Sequence, residues 1–134
     1  MTTTIAPPPR PLLAGALRGL AIGRIALGAA AIAAPRTLIT ACGAQPTPEL
    51  TYMTRIFGSR AIALGLGYLT APIPERPRWQ RLGLMVDIID TIHGTAHLLR
   101  ADIPRSTALA ATTFTGSYMI VGATRLTHDL TSPA

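Results

Sequence analysis

The chain has no lysine, a single cysteine and few aromatic side chains. Twelve arginines carry all of its basic charge among 134 residues, against six acids, and Phe, Trp and Tyr together make up 4%. Each scarcity excludes something. With Cys42 alone, neither an intrachain disulfide nor a cysteine-based metal site is available. With so few rings, the core has to be filled by Ala, Gly, Leu and Ile, which suits helices packed at close range. The charged fraction of 13% is about half the ~25% usual in soluble domains. A net charge of +6 invites a nucleic-acid reading. The arginines are scattered, however, and no aromatic residues interleave with them, so no nucleic-acid partner is expected. Anionic lipid headgroups are the more natural counter-charge.

What is present is apolar: 49% of residues are hydrophobic and the mean hydropathy is +0.38. Four apolar segments, near 12–34, 50–71, 79–99 and 106–126, are separated by Pro-bearing connections. Each has about the twenty residues that cross a hydrocarbon core as a helix. The connections P-I-P-E-R-P-R and R-A-D-I-P-R are short, so consecutive helices must run antiparallel. The expected fold is all-α, a four-helix transmembrane bundle over 12–126 with antiparallel neighbours and both termini on the same side. A disordered N-terminal tail is expected over 1–11 and a C-terminal tail over 127–134. Within 36–48, R-T-L-I-T-A-C-G reads as a short interfacial helix ended by Gly43. Thr47 or Thr51 then caps the next helix, with Glu49 in its first turn.

Arginine placement sets the expected orientation. The side holding both termini carries Arg10, Arg76, Arg78, Arg81 and Arg125, and the other carries Arg36, Arg100 and Arg105. That bias predicts a multi-pass plasma-membrane protein with cytoplasmic termini. Gly15, Gly19 and Gly23 form a small-residue ridge on the first helix, and Ala108, Thr112 and Gly116 form one on the fourth. Such ridges serve close helix contact, either within the chain or as the seam of a homo-oligomer or larger membrane complex. Membrane lipid is the expected partner, and no cofactor is expected.

One stretch concentrates the polar chemistry. G-L-M-V-D-I-I-D-T-I-H-G-T-A-H, residues 83–97, places Asp87, Asp90, His93 and His97 in an otherwise apolar segment. On a helix, at ~100° per residue, the four project within roughly 120° of one another. Ionisable groups in such a setting need a partner or water. Three readings follow. Asp87 and Asp90 can pair with arginines of the first two segments, Arg18, Arg24, Arg55 and Arg60, and staple the helices together. Alternatively, Asp87, Asp90, His93 and His97 with Arg55 and Arg60 can line a ligand cavity, with Asp90 and His93 as candidate acid–base catalysts of an isomerase or cyclase. A metal held by Asp90, His93 and His97 is the third, and it is not favoured, because no other segment offers a mid-span ligand. Tyr118 lies where it can hydrogen-bond into the cluster. No phosphate loop, G-x-S-x-G or H-E-x-x-H motif is present.

The order of these motifs, P-R-T-L-I, then R-I-F-G-S-R-A-I-A-L-G-L-G, then D-I-I-D-T-I-H-G, resembles a family of small bacterial and fungal four-helix membrane proteins of unknown function. The matching positions are Gly58, Arg60, Leu64, Gly65, Asp87 and Asp90. His93 and His97 fall outside the pattern. The resemblance implies a fold and a location but no activity. A structural or accessory role through helix packing around an Arg–Asp centre is therefore expected, with a binding or transport module and a membrane enzyme as alternatives.

Overall fold

The computed structural model describes residues 10–132. The tail expected over 1–11 therefore lies almost wholly outside the described residues. The chain forms α1 (Pro11–Ala33), a short α2 (Pro35–Ala41), α3 (Pro48–Thr70), a 3₁₀ turn (Ile73–Glu75), α4 (Arg76–Arg100) and α5 (Arg105–Thr131). Pro sits in the first turn of α1 to α4, where its missing N–H costs no bond and its fixed φ suits a helix start. Thr47 caps α3, its hydroxyl accepting from the Leu50 N–H at 3.2 Å. Gly43, at φ +87°, ends the α2 turn in the left-handed region that a side chain resists. Its own N–H bonds back to the Thr40 carbonyl at 2.9 Å. Helix α4 stops at Ala101, a non-glycine residue at φ 53°. The last helix runs past the expected end at 126, through His128 and Asp129, to Thr131, so most of the stretch expected as a C-terminal tail is helical.

The four long helices alternate in direction. Gly28 faces Gly58, and Gly65 faces Ala21, so α1 and α3 are antiparallel. Gly94 faces Thr112, and Leu84 faces Gly122, so α4 and α5 are antiparallel too. Packing within each of these two hairpins is far more extensive than packing between them. The α1–α3 seam is built from small residues at matched spacing: Ala21, Gly28 and Ala31 on one helix, Gly58, Ala61 and Gly65 on the other, all buried. A Cβ on Gly28 would lie 2.6 Å from the Gly58 carbonyl oxygen, so the two backbones touch there and only glycine fits. Of the ridge expected at Gly15, Gly19 and Gly23, only Gly23 meets a neighbour within the chain, the Tyr118 side chain, while Gly15 and Gly19 face open space. On α5 the ridge of Ala108, Thr112 and Gly116 does pack inward, with Thr112 and Gly116 against α4.

The expectation of a four-helix transmembrane bundle is corrected by the structure. Among the described residues one helix, α1, is long and apolar enough to cross a membrane. A core helix or an N-terminal targeting segment meets the same criterion, but only 22% of its apolar window is buried in the protein. The other three helices have the length and lack the composition. Helix α3 holds two arginines, Arg55 and Arg60, as α1 holds Arg18 and Arg24, but sets them among Thr, Ser and Tyr where α1 has almost only Ala, Leu, Ile and Gly. Helix α4 holds Asp87 and Asp90 beside its basic first turns, and α5 is rich in Ser and Thr. Each polar or ionised residue in a span makes its transfer into hydrocarbon less favourable, and length does not offset that. Multi-pass placement with cytoplasmic termini loses its basis with the bundle.

Candidate functional site: an Arg–Asp layer at the helix junction

Asp87 points inward from α4 because it shares a face with the buried Gly83 and Leu84. Opposite it on α1 is Arg24, which donates to Asp87 Oδ2 in a buried ion pair. The guanidinium carbon also lies 4.6 Å from the ring centroid of Tyr118 on α5. That is a cation–π contact, and it is stronger for being away from water. Two glycines make the room. A Cβ on Gly83 would approach the Arg24 guanidinium to 3.4 Å, and one on Gly23 would fall 2.6 Å from the Tyr118 hydroxyl. Phe114 packs against Tyr118, centroids 4.5 Å apart with the planes tilted by 37°.

One turn along α4, Asp90 takes a second partner. Arg60 of α3 donates to Asp90 Oδ2 at 2.6 Å, with its guanidinium carbon 5.7 Å from the Phe57 ring. This pair is only partly covered, 43% and 26% exposed, so removing one partner costs far less here than in the buried pair, where it would strand an uncompensated charge. Being three residues apart, Asp87 and Asp90 reach different helices. The first ties α4 to α1, the second ties α4 to α3, and both ties cross between the two hairpins.

A cavity of about 40 Å³ opens beside the buried pair, with Arg24, Tyr68, Trp79, Gln80, Asp87 and Tyr118 among its lining residues. It has room for water but not for a substrate. Gln80 uses its amide to donate to the Gly122 carbonyl at 3.2 Å, holding α4 to α5 at the same level. Farther along that hairpin, Thr91 donates to Thr115 at 3.0 Å.

The candidate stripe therefore divides. Asp87 reaches the cavity, whereas Asp90, Arg60, His93 and His97 do not line it. His93 is exposed and bonds through Nδ1 to the Ile89 carbonyl of its own helix at 2.8 Å. It does not meet Asp90, so the proposed acid–base couple is not assembled. His97 bonds through Nδ1 to Asp102 Oδ1 at 2.7 Å, just beyond the helix end. The ring beside Asp102 holds that carboxyl below the usual carboxylate range. Arg55 is exposed and enters no ion pair among the described residues. Asp90, His93 and His97 do not converge, and no group of three metal-ligating side chains occurs among the described residues. Bonds made along the helix, to Ile89 and across its end to Asp102, draw the two rings away from any common centre.

One buried pair was not anticipated. Arg125 Nε lies 2.7 Å from Asp129 Oδ1, and both side chains are almost wholly buried. The contact is out of line for a hydrogen bond, and His128 Nδ1 sits 3.9 Å from the same oxygen. The i, i+4 spacing in R-L-T-H-D is the signal that marks it, once the helix is carried past residue 126. Comparison with family models, curated proteins and solved structures returned no match.

Proposed function

We propose that this is a small membrane-associated protein of structural or accessory type, acting through helix packing around its Arg24–Asp87 centre. The observation that carries the reading is the distribution of apolar surface. Large side chains face outward on every long helix, among them Ile22 on α1 (58% exposed), Ile92 on α4 (61%) and Ile120 on α5 (65%). Exposed apolar area on this scale needs cover, and hydrocarbon supplies it without a matched protein surface. Helix α1 is the segment suited to membrane insertion, and its open Gly15 and Gly19 leave a flat face for a partner helix. The inward-facing charges fit the same solvent, since each meets an opposite charge instead of hydrocarbon. The family that the G-S-R and D-I-I-D motifs resemble, small helical membrane proteins of bacteria and fungi, accords with a plasma-membrane location. The cavity beside Asp87 is of water size, so it favours a structural centre over a transport or isomerase site.

The test is extraction. Membranes from cells expressing the chain are washed at alkaline pH, then in detergent. Retention through the alkaline wash and release by detergent is the expected result. Release as a dispersed helical protein without detergent refutes the reading.

A further inference from the structure

The outer face shared by α4 and α5 holds a shallow apolar groove of about 370 Å³. Met85, Ile88 and Ile89 form one wall, Leu126 and Leu130 the other, and Arg81 lies at one end. Spacing explains the arrangement. Residues 81, 85, 88 and 89 fall on one stripe of α4, so the cation and the apolar side chains share a face along ~12 Å of helix. Arg81 and Arg78, a turn earlier, are both exposed, and no acid pairs with either among the described residues. Arg76 differs, donating to the Ala71 carbonyl at 3.2 Å.

An anionic amphiphile meets both features at once, with a phosphate at the guanidinium and a hydrocarbon chain along the groove. We infer that the α4–α5 groove is a binding site for an anionic phospholipid, its headgroup phosphate held by Arg81 with Arg78 and one acyl chain lying over Met85, Ile88 and Ile89. The site rests on the membrane association proposed above and adds to it a preferred lipid class and a place on the protein.

The phosphodiester is anionic in both lipids, but the choline ammonium offsets it in phosphatidylcholine and repels the two guanidinium groups, so phosphatidylglycerol, which keeps its net charge, is preferred. The purified full chain in non-ionic detergent is offered each lipid at equal chain length, and adducts are read by native mass spectrometry. One juxtamembrane arginine is worth about fivefold in binding an anionic surface, which sets the expected preference and the expected loss in Arg81→Gln. Arg100→Gln, at the far end of the same helix, keeps the wild-type preference. Ile89→Gln weakens the adducts of both lipids, because the chain seat is damaged and the headgroup contact is not. Equal binding of the two lipids overturns the assignment, as does a preference that survives in Arg81→Gln or is lost equally in Arg100→Gln. Inorganic phosphate that displaces the lipid at equal concentration also overturns it, leaving a phosphate contact with no chain in the groove. The two proposals fail separately. A chain that resists alkaline extraction yet shows no lipid preference keeps its membrane association and loses only this site.

Discussion

The contact between α1 and α3 makes one substitution carry opposite signs at two positions of the same helix. Gly19 faces open space, and Gly28 touches the Gly58 backbone. In the interior of a helix, Gly→Ala gains ~0.8–1 kcal/mol from backbone entropy and better-covered backbone. Gly19→Ala should therefore stabilise by roughly that amount. At Gly28 the same gain is opposed. The new methyl would sit 2.6 Å from the Gly58 carbonyl oxygen and 2.7 Å from Ile62 Cγ1, and a main-chain oxygen cannot swing aside as a flexible side chain does. Relieving that overlap means moving α1 away from α3, an overpacking penalty of about 1–3 kcal/mol. Set against the helical gain, the net effect is a loss of roughly 0–2 kcal/mol, so the two variants should differ by about 1–3 kcal/mol. Gly58→Ala meets the Gly28 carbonyl at 2.7 Å and Ala31 at 3.0 Å. Once either methyl has parted the helices the second finds the space made, so the double variant should cost less than the sum of the singles. The assay is helicity followed by circular dichroism through a denaturant titration in one detergent. Equal midpoints for Gly19→Ala and Gly28→Ala would refute the direct backbone contact, and with it the small-residue seam as the reason the hairpin closes.

The two aspartates of α4 should separate just as clearly. Asp87→Asn leaves Arg24 buried without a counter-charge and should cost about 3–5 kcal/mol, whereas Asp90→Asn, in a half-open pair, should cost about 0–1 kcal/mol. Equal losses in the same titration would show that Asp87 is not the buried anchor. At the far end of α4, Asp102 is bonded to His97 and its carboxyl titrates below the usual range. Its folded value is depressed, so the small stabilisation it provides is present above the unfolded value near ~3.9 and is lost as pH falls through the folded one. A carboxyl-carbon NMR titration should show Asp102 returning to the ordinary range in His97→Ala. A titration midpoint unmoved by that change would mean the ring is not its cause.

The pattern of apolar runs and prolines is enough, with no coordinates, to place four long helices and the short one ended by Gly43, because helix starts and stops are local chemistry. Thr47 accepts from a backbone amide three residues away, and Gly43 supplies a backbone angle of its own. The need of Asp87 and Asp90 for arginine partners is equally readable, since an acid in an apolar helix has few alternatives. Which arginine each would find is not a local matter. Arg18, Arg24, Arg55 and Arg60 look alike in the chain, and only the packing of α1 against α3 and α5 turns Arg24 past Tyr118 to reach Asp87 and leaves Arg18 and Arg55 outside. The same holds for the glycines. Gly15, Gly19 and Gly23 and the set Gly28, Gly58 and Gly65 have equal claim to a helix seam by composition. Which of them meets a neighbour depends on the rotation of each helix about its axis, and that is set by the whole packed surface at once. His93 and His97 share a stripe with the aspartates, but that stripe runs about three turns, and its far end lies beyond the arginines of α1 and α3. Tertiary packing took Asp87 into the centre and left the two imidazoles to bond where the nearest oxygens lay.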